Sequence, residues 1–441
     1  MLDKDREIII GKIKSGIILF LAALMVYQTG VLWFVNITNR NFLLNVFPIL
    51  QQTTIPEGLE QLVIPWRIIT IHGDGRFSAQ YSNLTMTDSK SYGDMVLSHL
   101  LQKGRFVSAQ SINYETLLTE AGYIYEYAFP MQAEWFTQGF NLRHSLLTDS
   151  GVTSFRKIII RPPAYSIPGV HVFFLCENGY AYEFTVIPPE SGGPSHFEHN
   201  IPIEAVGAYY LFTELPQGKQ FLRYGEFVFN AIQVTNPYVD IHGGFSLDFI
   251  QGQVAGFFSN PAVIRPIVGN DVWVYRDVNT VVRYYAANVL EYINYRAIDR
   301  RAHASFESDF ASAIQFLKRD VLVANETYLV DYREEDGQRV FYFNYVIGDT
   351  PLIMSQNWVR DFQLRYPIMI TVSHGTVIRY RKLAFNFYID KEIQLSARAD
   401  FNNLMGRLGD DFTNVQLGYR IIGEDMKSLY WFVDERAFAL P

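Results

Sequence analysis

The chain has 441 residues, a formal net charge of −8 at pH 7 and a sequence pI near 5.6. This acidic balance disfavours nucleic acid as a partner, and the sequence contains no basic cluster of the kind that binds it. Apolar residues make up 49% of the chain and charged residues 19%, which is typical of a folded protein rather than a disordered one. The single cysteine, Cys176, excludes an intramolecular disulfide and a thiolate metal cluster.

Residues 15–35 form an uninterrupted apolar stretch, SGIILFLAALMVYQTGVLWFV, without a charged side chain. A helix of about 20 such residues crosses a bilayer once, and a helix satisfies its own backbone there. A cleaved signal peptide is one alternative, but its apolar core would be shorter and a small-residue cleavage site would follow. A buried helix of a soluble protein is another, but such a helix has a polar face. We therefore predict an uncleaved transmembrane helix over 15–35.

The charges around this segment predict its orientation. Lys12 and Lys14 lie immediately before it, whereas Arg40 is the basic residue close behind. Because Lys and Arg accumulate on the cytoplasmic side, we predict a cytoplasmic tail at 1–14 and an extracytoplasmic remainder. An extracytoplasmic domain without disulfides fits a Gram-positive surface. The predicted location is the cell membrane, crossed once.

Small and aromatic residues recur along the predicted helix. Gly16, Ala23 and Gly30 are seven residues apart and each is followed four positions later by an aromatic residue, while Gln28 adds an amide that needs a partner within lipid. Another helix could approach closely along such a face, although small residues are also common in helices that face lipid. We predict that this face binds a partner's transmembrane helix. The predicted face consists of Gly16, Phe20, Ala23, Tyr27, Gln28, Gly30 and Phe34.

The first part of the remainder, 36–150, mixes strands and helices. A hairpin begins near Pro65, where apolar and polar residues alternate before a turn that contains two glycines. The apolar spacing predicts a helix over 88–103 and a second, short helix over 113–120. Alternating aromatic residues then predict a strand over 123–129.

The middle part, 151–297, is dominated by strand patterns. Asn178-Gly179 joins two apolar runs, and this dipeptide is the strongest short-range hairpin signal in the chain. The segment 204–215 is weakly periodic, which leaves a helix open there. Further strands are predicted near 226–234, 245–249 and 271–275.

The last part, 298–441, repeats a pattern of helices and hairpins. A helix is predicted over 305–319, because apolar residues recur every three or four positions and Ser305 can cap its start. Hairpins turn at Gly337 and Gly375, a helix ends at Gly409, and a last hairpin closes the chain. Antiparallel sheets with segregated helices are typical of the α+β class. We predict this class and domains at 36–150, 151–297 and 298–441.

The motifs that carry chemistry are weak. There is no H-E-x-x-H, G-x-S-x-G, P-loop, Rossmann glycine pattern or C-x-x-C. His196 and His199 have a spacing that could bind a metal, but an exposed polar loop is the better interpretation. Ser154 and Lys157 match S-x-x-K without the S-D-N or K-T-G that accompanies it in serine acylases. We predict no catalytic residue, no metal and no cofactor.

Three stretches of the sequence are similar to a known family. They are TVVRYYAANVLEYINY, the hairpin VFYFNYVIGDTPLIM with a G-x-x-P exit from Gly348 to Pro351, and the helix 305–319 before it. With the order of the segments, they resemble the YycH regulators and their relatives, the YycI proteins, which are membrane accessories of the WalK sensor histidine kinase in Gram-positive bacteria. The resemblance implies a three-part ectodomain with a YycI-like last part, and it implies no catalytic residues.

The most direct functional prediction is a non-enzymatic, membrane-tethered regulator that binds a sensor histidine kinase and a YycI-like partner. Its transmembrane helix and its extracytoplasmic domain would both contact the kinase. One alternative is an extracytoplasmic binding module for cell-wall fragments or a peptide, in which aromatic residues line a groove. Another is a cell-wall enzyme whose site is assembled from distant residues.

Overall fold

The chain divides into two compact units, Met1–Ile55 and Pro56–Pro441. Every described residue except Met25, which is helical, belongs to the second unit. Within the described residues, no helix is both long enough and apolar enough to cross a bilayer. The structure is a computed structural model that describes Met25 and residues 58–72, 77–80, 86–161, 169–187, 210–211, 227–228, 234–242, 247–258, 260, 264–297, 304–320, 327–335, 337–347, 350–354, 356–397, 415–420, 429–433 and 436–438.

The second unit is built from strands and short helices. The helices are α1 (Thr87–Lys103), α2 (Tyr114–Leu117), α3 (Ala133–Gly139), α4 (Leu146–Asp149), α5 (Leu247–Ala255), α6 (Phe306–Leu317) and α7 (Gln356–Phe362). Short 3-10 helices lie at Leu59–Gln61 and Tyr295–Ala297. The predicted α+β class with antiparallel sheets is confirmed.

The first sheet has seven strands in the order β2-β1-β4-β5-β6-β7-β3, and all of its neighbouring strands are antiparallel. Its strands are β1 (Arg67–Ile71), β2 (Phe77–Gln80), β3 (Arg105–Ser111), β4 (Gly122–Gln132), β5 (Ser154–Arg161), β6 (Val170–Cys176) and β7 (Tyr180–Val186).

Helices α1 and α3 cover one face of this sheet. The Tyr125 hydroxyl donates a hydrogen bond to the carbonyl of Ser89 in α1, and a Cβ at Gly93 would collide with the same hydroxyl. Only glycine permits this close approach of helix and sheet. Edge-to-face aromatic contacts run from Phe136 of α3 across Phe155 to Phe174, with ring centroids 5.1 and 4.9 Å apart. The covered face is therefore a largely aromatic core.

Strand β3 ends the sheet, and most of its residues are exposed. Phe106 and Val107 both present large apolar side chains to solvent there. The pairing of β3 with β7 shifts register between Phe106 and Ser108, so Val107 forms a bulge in the edge strand.

The second sheet has twelve strands, and its order is β11-β12-β13-β14-β19-β18-β16-β17-β21-β22-β23, with β15 paired to β16. Its pairs are antiparallel except β17 with β21. The strands are β11 (Ile267–Val268), β12 (Val272–Arg276), β13 (Thr280–Tyr285), β14 (Val289–Asn294), β15 (Thr327–Glu335), β16 (Gln338–Ile347), β17 (Thr350–Ile353), β18 (Ile368–Ser373), β19 (Thr376–Leu383), β21 (Val415–Arg420), β22 (Leu429–Val433) and β23 (Arg436–Phe438). Two strand pairs stand apart: β8 (Tyr210–Leu211) with β9 (Phe227–Val228), and β10 (Val234–His242) with β20 (Asn386–Ala397).

Helix α6 packs on the inner face of the second sheet. Its start is fixed by the Ser305 hydroxyl, which accepts a hydrogen bond from the backbone N–H of Ser308 at 3.3 Å. Phe306, Phe310 and Ile314 form a buried stripe that meets the aromatic residues of β16. The helix predicted over 305–319 is thereby confirmed.

An aromatic seam joins the two sheets within the unit. The ring of Trp135 in α3 stacks on Phe306 of α6, with centroids 3.6 Å apart and an interplanar angle of 9°. Trp66 stacks on Tyr328 of β15 at 6.2 Å. Phe129 of β4 meets Tyr332 of β15 edge-on at 6.0 Å. Aromatic pairs contribute about 0.5–1.5 kcal/mol each beyond the area they bury, so the seam ties the sheets together.

The predicted hairpins are confirmed where the structure describes them. Gly179 lies at the tip of β6–β7 with φ +83°, and His374 and Gly375 at the tip of β18–β19 both have positive φ, as a type I′ turn requires. The strand predicted at 245–249 is wrong, because α5 occupies this region. Ile250 and Val254 of α5 are buried one helical turn apart, a period that short apolar runs do not reveal.

Strands pair across the predicted domain limits. Strand β4 lies before residue 150 and pairs with β5 after it, and β14 lies before residue 297 and pairs with β19 after it. The domain division at 36–150, 151–297 and 298–441 stays a prediction.

Replacing Phe310 with Ala is expected to lower the free energy of unfolding by about 3–5 kcal/mol, because it leaves a cavity beneath Phe306 and Phe341. Urea unfolding followed by tryptophan fluorescence measures the loss. Val278→Ala, at an almost fully exposed position, is the matched control and should stay within about 0.5 kcal/mol of wild type. Equal effects of the two substitutions would contradict the packing of α6.

Candidate functional site

Several residues singled out from the sequence lie outside the described residues. This holds for the metal-like pair His196 and His199 and for the helix predicted before Gly409. It also holds for the predicted partner-binding face, which comprises Gly16, Phe20, Ala23, Tyr27, Gln28, Gly30 and Phe34. Their roles stay predictions.

Cys176 is described, and it lies buried at the end of β6. Burial raises the pKa of its thiol to about 12. The thiol is therefore protonated at physiological pH and unsuited to nucleophilic attack or metal binding. The prediction of an inert core thiol agrees with this environment.

A buried charged cluster crosses the first sheet. Arg67, Glu126 and Lys157 lie opposite one another on β1, β4 and β5. Both cations contact the Glu126 carboxylate, with Lys157 Nζ 3.2 Å from Oε1. Burial alone would raise the pKa of Glu126, but the charges of Arg67 and Lys157 outweigh it and the pKa is lowered. The lysine of the S-x-x-K match is thus held in an ion pair, which argues against an acylation role.

A second buried cluster lies on the inner face of the second sheet. Lys382 and Asp320 form an ion pair in which each side chain is 1% exposed, and the Tyr380 hydroxyl donates to Asp320 Oδ2 at 2.8 Å. Burial lowers the pKa of Lys382, although the charge of Asp320 opposes that shift. Both oxygens of the carboxylate are engaged, so this cluster stabilises one packing arrangement instead of reacting.

Asp309 ties the first turn of α6 to the sheet. Its Oδ1 accepts a hydrogen bond from the Gly375 N–H at 2.6 Å, and its Oδ2 accepts one from Arg339 at 2.6 Å. The carboxylate also lies where a helix N-terminus favours negative charge. This cluster positions α6 on the β18–β19 turn.

Ser108, His171 and Glu183 bring together the residue types of a catalytic triad. His171 Nδ1 lies 2.8 Å from Glu183 Oε1, and the Ser108 hydroxyl donates to Glu183 Oε2 at 2.9 Å. In a serine triad, however, the hydroxyl bonds to the imidazole and the carboxylate bonds to its far side. Here the serine and the histidine share one carboxylate. The geometry therefore does not activate the serine.

A fourth charged cluster lies on the outer face of the second sheet and is partly open to solvent. Glu291 of β14 is 5% exposed and accepts hydrogen bonds from Arg381 Nε at 2.8 Å and Arg283 Nη1 at 2.9 Å. The Tyr285 hydroxyl donates to the same carboxylate at 3.2 Å. Arg379 Nε lies 4.0 Å away, with 43% of its side chain exposed.

The charges of this outer cluster do not balance. Burial alone would raise the pKa of Glu291, but hydrogen bonds and charges from Arg381 and Arg283 outweigh it and lower the pKa. Glu291 is ionised at neutral pH and cannot serve as a general acid. One carboxylate thus faces three guanidinium groups. The cluster is suited to attracting an anionic group, and we take it as the candidate functional site.

No motif in the sequence predicts this cluster. Its arginines alternate with apolar or aromatic residues along β13 and β19, as in VVRYY and VIRYRKL. That alternation indicates that they share a sheet face, but the convergence on Glu291 depends on the pairing of β14 with β19, which are far apart in sequence. Among the residues that the structure describes, no three His, Cys, Asp or Glu side chains come together as a metal site would require.

Lys382→Met is expected to lower the free energy of unfolding by about 3–5 kcal/mol, because it leaves the buried Asp320 charge uncompensated. Adding Asp320→Asn, which still accepts the Tyr380 hydrogen bond, should recover part of this loss. Urea unfolding of the two single variants and the double variant measures their coupling. Strictly additive losses would show that the ion pair does not couple the two residues.

The lowered pKa values of Glu126 and Glu291 predict acid sensitivity. Each of these carboxyls has a lower pKa in the folded protein than its ordinary pKa of 4.5. Such a group stabilises the fold at pH values above about 4.5 and loses that contribution as the pH falls through the lowered pKa. The free energy of unfolding should therefore decline below about pH 4.5. Glu291→Gln should flatten this decline, whereas Glu177→Gln, at a half-exposed surface ion pair, should follow wild type. Urea unfolding across this pH range tests the expectation, and parallel curves for all three proteins would refute it.

Comparison with known proteins identifies the fold. The crystal structure of YycH from Bacillus subtilis matches with a TM-score of 0.56 and 11% sequence identity, covering 87% of this chain and 96% of that chain. The Bacillus megaterium YpeB C-terminal domain covers 44% of this chain and 88% of its own at 15% identity, but its TM-score of 0.24 is too low to support an argument. No protein-family model matches the sequence. No curated protein matches it either. The resemblance expected from the sequence is confirmed for the fold, which is YycH-like.

Proposed function

We propose that the chain is a non-enzymatic, membrane-anchored regulator of a WalK-type sensor histidine kinase. Its transmembrane helix at 15–35 and its extracytoplasmic sheets both contact the signalling complex, which also contains a YycI-like protein. The observation that carries this proposal is the likeness of fold to YycH over most of both chains. The N-terminus lies in the cytoplasm, and the sheets lie outside the cell membrane.

The chemistry of the polar clusters supports binding over catalysis. Three of them are buried or partly buried ion pairs whose charged groups already have partners. The Glu291 cluster is open, but its carboxylate is ionised and held by arginines. Such a cluster recognises charge on a partner and does not move a proton.

Regulation through contact requires only a modest energy. A sensor kinase exchanges between two states, and a partner that binds one state better shifts the population toward it. A difference of about 1–3 kcal/mol in contact energy changes the equilibrium by roughly 5–150-fold. The predicted helix face and the ectodomain can together supply such a difference.

The proposal is tested by purifying the affinity-tagged, full-length chain from Gram-positive membranes in mild detergent and probing for the sensor kinase by immunoblot. We expect wild type to recover the kinase. A variant with Gly16, Ala23 and Gly30 all replaced by Leu should recover less, because bulky side chains block close helix approach.

A matched variant replaces Ile18, Met25 and Leu32, which lie on the opposite side of a helix from the small residues of the predicted face, with other apolar residues and should behave as wild type. Recovery of wild type without any kinase would refute the regulator, and retention of bound cell-wall fragments instead would favour the binding-module alternative. Equal kinase recovery by all variants would remove the helix face from the proposal and leave the ectodomain as the contact.

A further inference from the structure

The outer face of strands β12, β13, β14 and β19 carries a concentration of positive charge. Side chains alternate along each strand, and the register places those of Arg276, Arg283, Arg379 and Arg381 on one face around Glu291. We call these five residues the arginine patch. Four positive charges face a single negative one there, although the whole chain carries a net charge of −8.

The patch is accessible to a partner. Arg276 is exposed, and Arg379 and Arg283 expose 43% and 35% of their side chains. The opposite face of the same strands is core, where Tyr275, Val282 and Tyr380 are buried. The arginines thus lie on the solvent side of the sheet, whereas Lys382 on the core side is paired with Asp320.

Two acidic residues near the patch have partners of their own. Asp277, in the β12–β13 turn, accepts hydrogen bonds from the backbone N–H groups of Asn279 and Thr280 at 2.8 and 2.7 Å. Asp361 of α7 pairs with its neighbour Arg360 at 2.7 Å. In the described part of the chain, neither carboxylate forms an ion pair with an arginine of the patch.

The patch is also pre-organised. Glu291 holds Arg283 and Arg381 in place through hydrogen bonds, and Arg381 is further fixed by the carbonyl of Phe362 at 3.1 Å. Side chains that are already ordered lose less entropy when a ligand binds. Arg379 is held less closely, at 4.0 Å from Glu291, so its guanidinium can turn toward an incoming carboxylate.

Apolar side chains border the patch on the same face. Val274 and Val281 are half-buried, and Ile267 at the sheet edge is 52% exposed. A phosphate polymer needs only the charges, whereas a mixture of arginine and apolar surface is typical of contacts between proteins. This mixture favours a polypeptide that presents carboxylates next to apolar residues.

We propose that the arginine patch binds an acidic segment of a partner protein's extracytoplasmic domain, with carboxylates on the arginines and apolar side chains on Val274, Val281 and Ile267. This inference rests on the proposed function, because it names the chemistry of the ectodomain contact. Complementary charge accelerates such an association and weakens as salt is added.

The first experiment measures binding of the full-length protein in detergent to a fluorescein-labelled peptide of alternating Glu and Leu, by fluorescence anisotropy. The double variant Arg276→Glu, Arg379→Glu should bind about tenfold more weakly than wild type. A double variant with the same charge change on the first sheet, Arg105→Glu with Arg156→Glu, is the matched control and should bind as wild type does. A peptide of alternating Gln and Leu should not bind.

Two outcomes of this experiment overturn the inference. One is equal affinity of the patch variant and wild type for the Glu-Leu peptide. The other is patch-dependent binding of polyphosphate without binding of the peptide, which would assign the patch to an anionic polymer.

The second experiment repeats the membrane purification with the patch variant and the charge-matched control. Loss of the kinase from the patch variant alone supports the inference. Equal recovery with all forms refutes it while the regulator function stands. If wild type recovers no kinase, the regulator function fails and the peptide experiment alone judges the patch.

Discussion

Helix α6 is the element on which the rest of the described unit depends, because the second sheet and helix α3, which covers the first sheet, both contact it. Phe306 stacks on Trp135 from the first sheet's side and meets Phe341 of the second sheet. Asp309 and Ser312 bind the Gly375 N–H and carbonyl at the tip of the β18–β19 hairpin. The helix position is thereby fixed from several directions at once, and the two sheets cannot shift independently without breaking these contacts.

This arrangement separates two kinds of charge. Charges on the α6 side of the second sheet, such as Asp320 and Lys382, are excluded from water and survive only as pairs. Charges on the outer side need no such compensation, so arginines can outnumber carboxylates there. The same strands therefore supply both a stabilising core and a surface that is free to recognise another molecule.

Sequence patterns predict those elements whose signals are local. The hairpin tips at Gly179 and Gly375 follow from turn chemistry, and α6 follows from its cap and its helical period. The strand order does not follow, because β14 pairs with β19 across almost a hundred residues and no local pattern encodes that choice. Arg283 and Arg381 meet at Glu291 because of this long-range pairing. The candidate site therefore cannot be predicted from local sequence patterns. The strand predicted at 245–249 is wrong for a related reason, since the burial of Ile250 and Val254 one helical turn apart depends on the fold and not on the local run.

The bulge at Val107 has a consequence for how copies of the protein coexist. An edge strand with a regular row of unpaired backbone groups invites a strand from a neighbouring molecule to extend the sheet. Here Val107 interrupts that row next to Arg105, whose charge would have to lose its hydration in such a junction. The first sheet therefore ends in a form that resists self-aggregation, and crowded copies can remain separate even though Phe106 and Val107 are exposed.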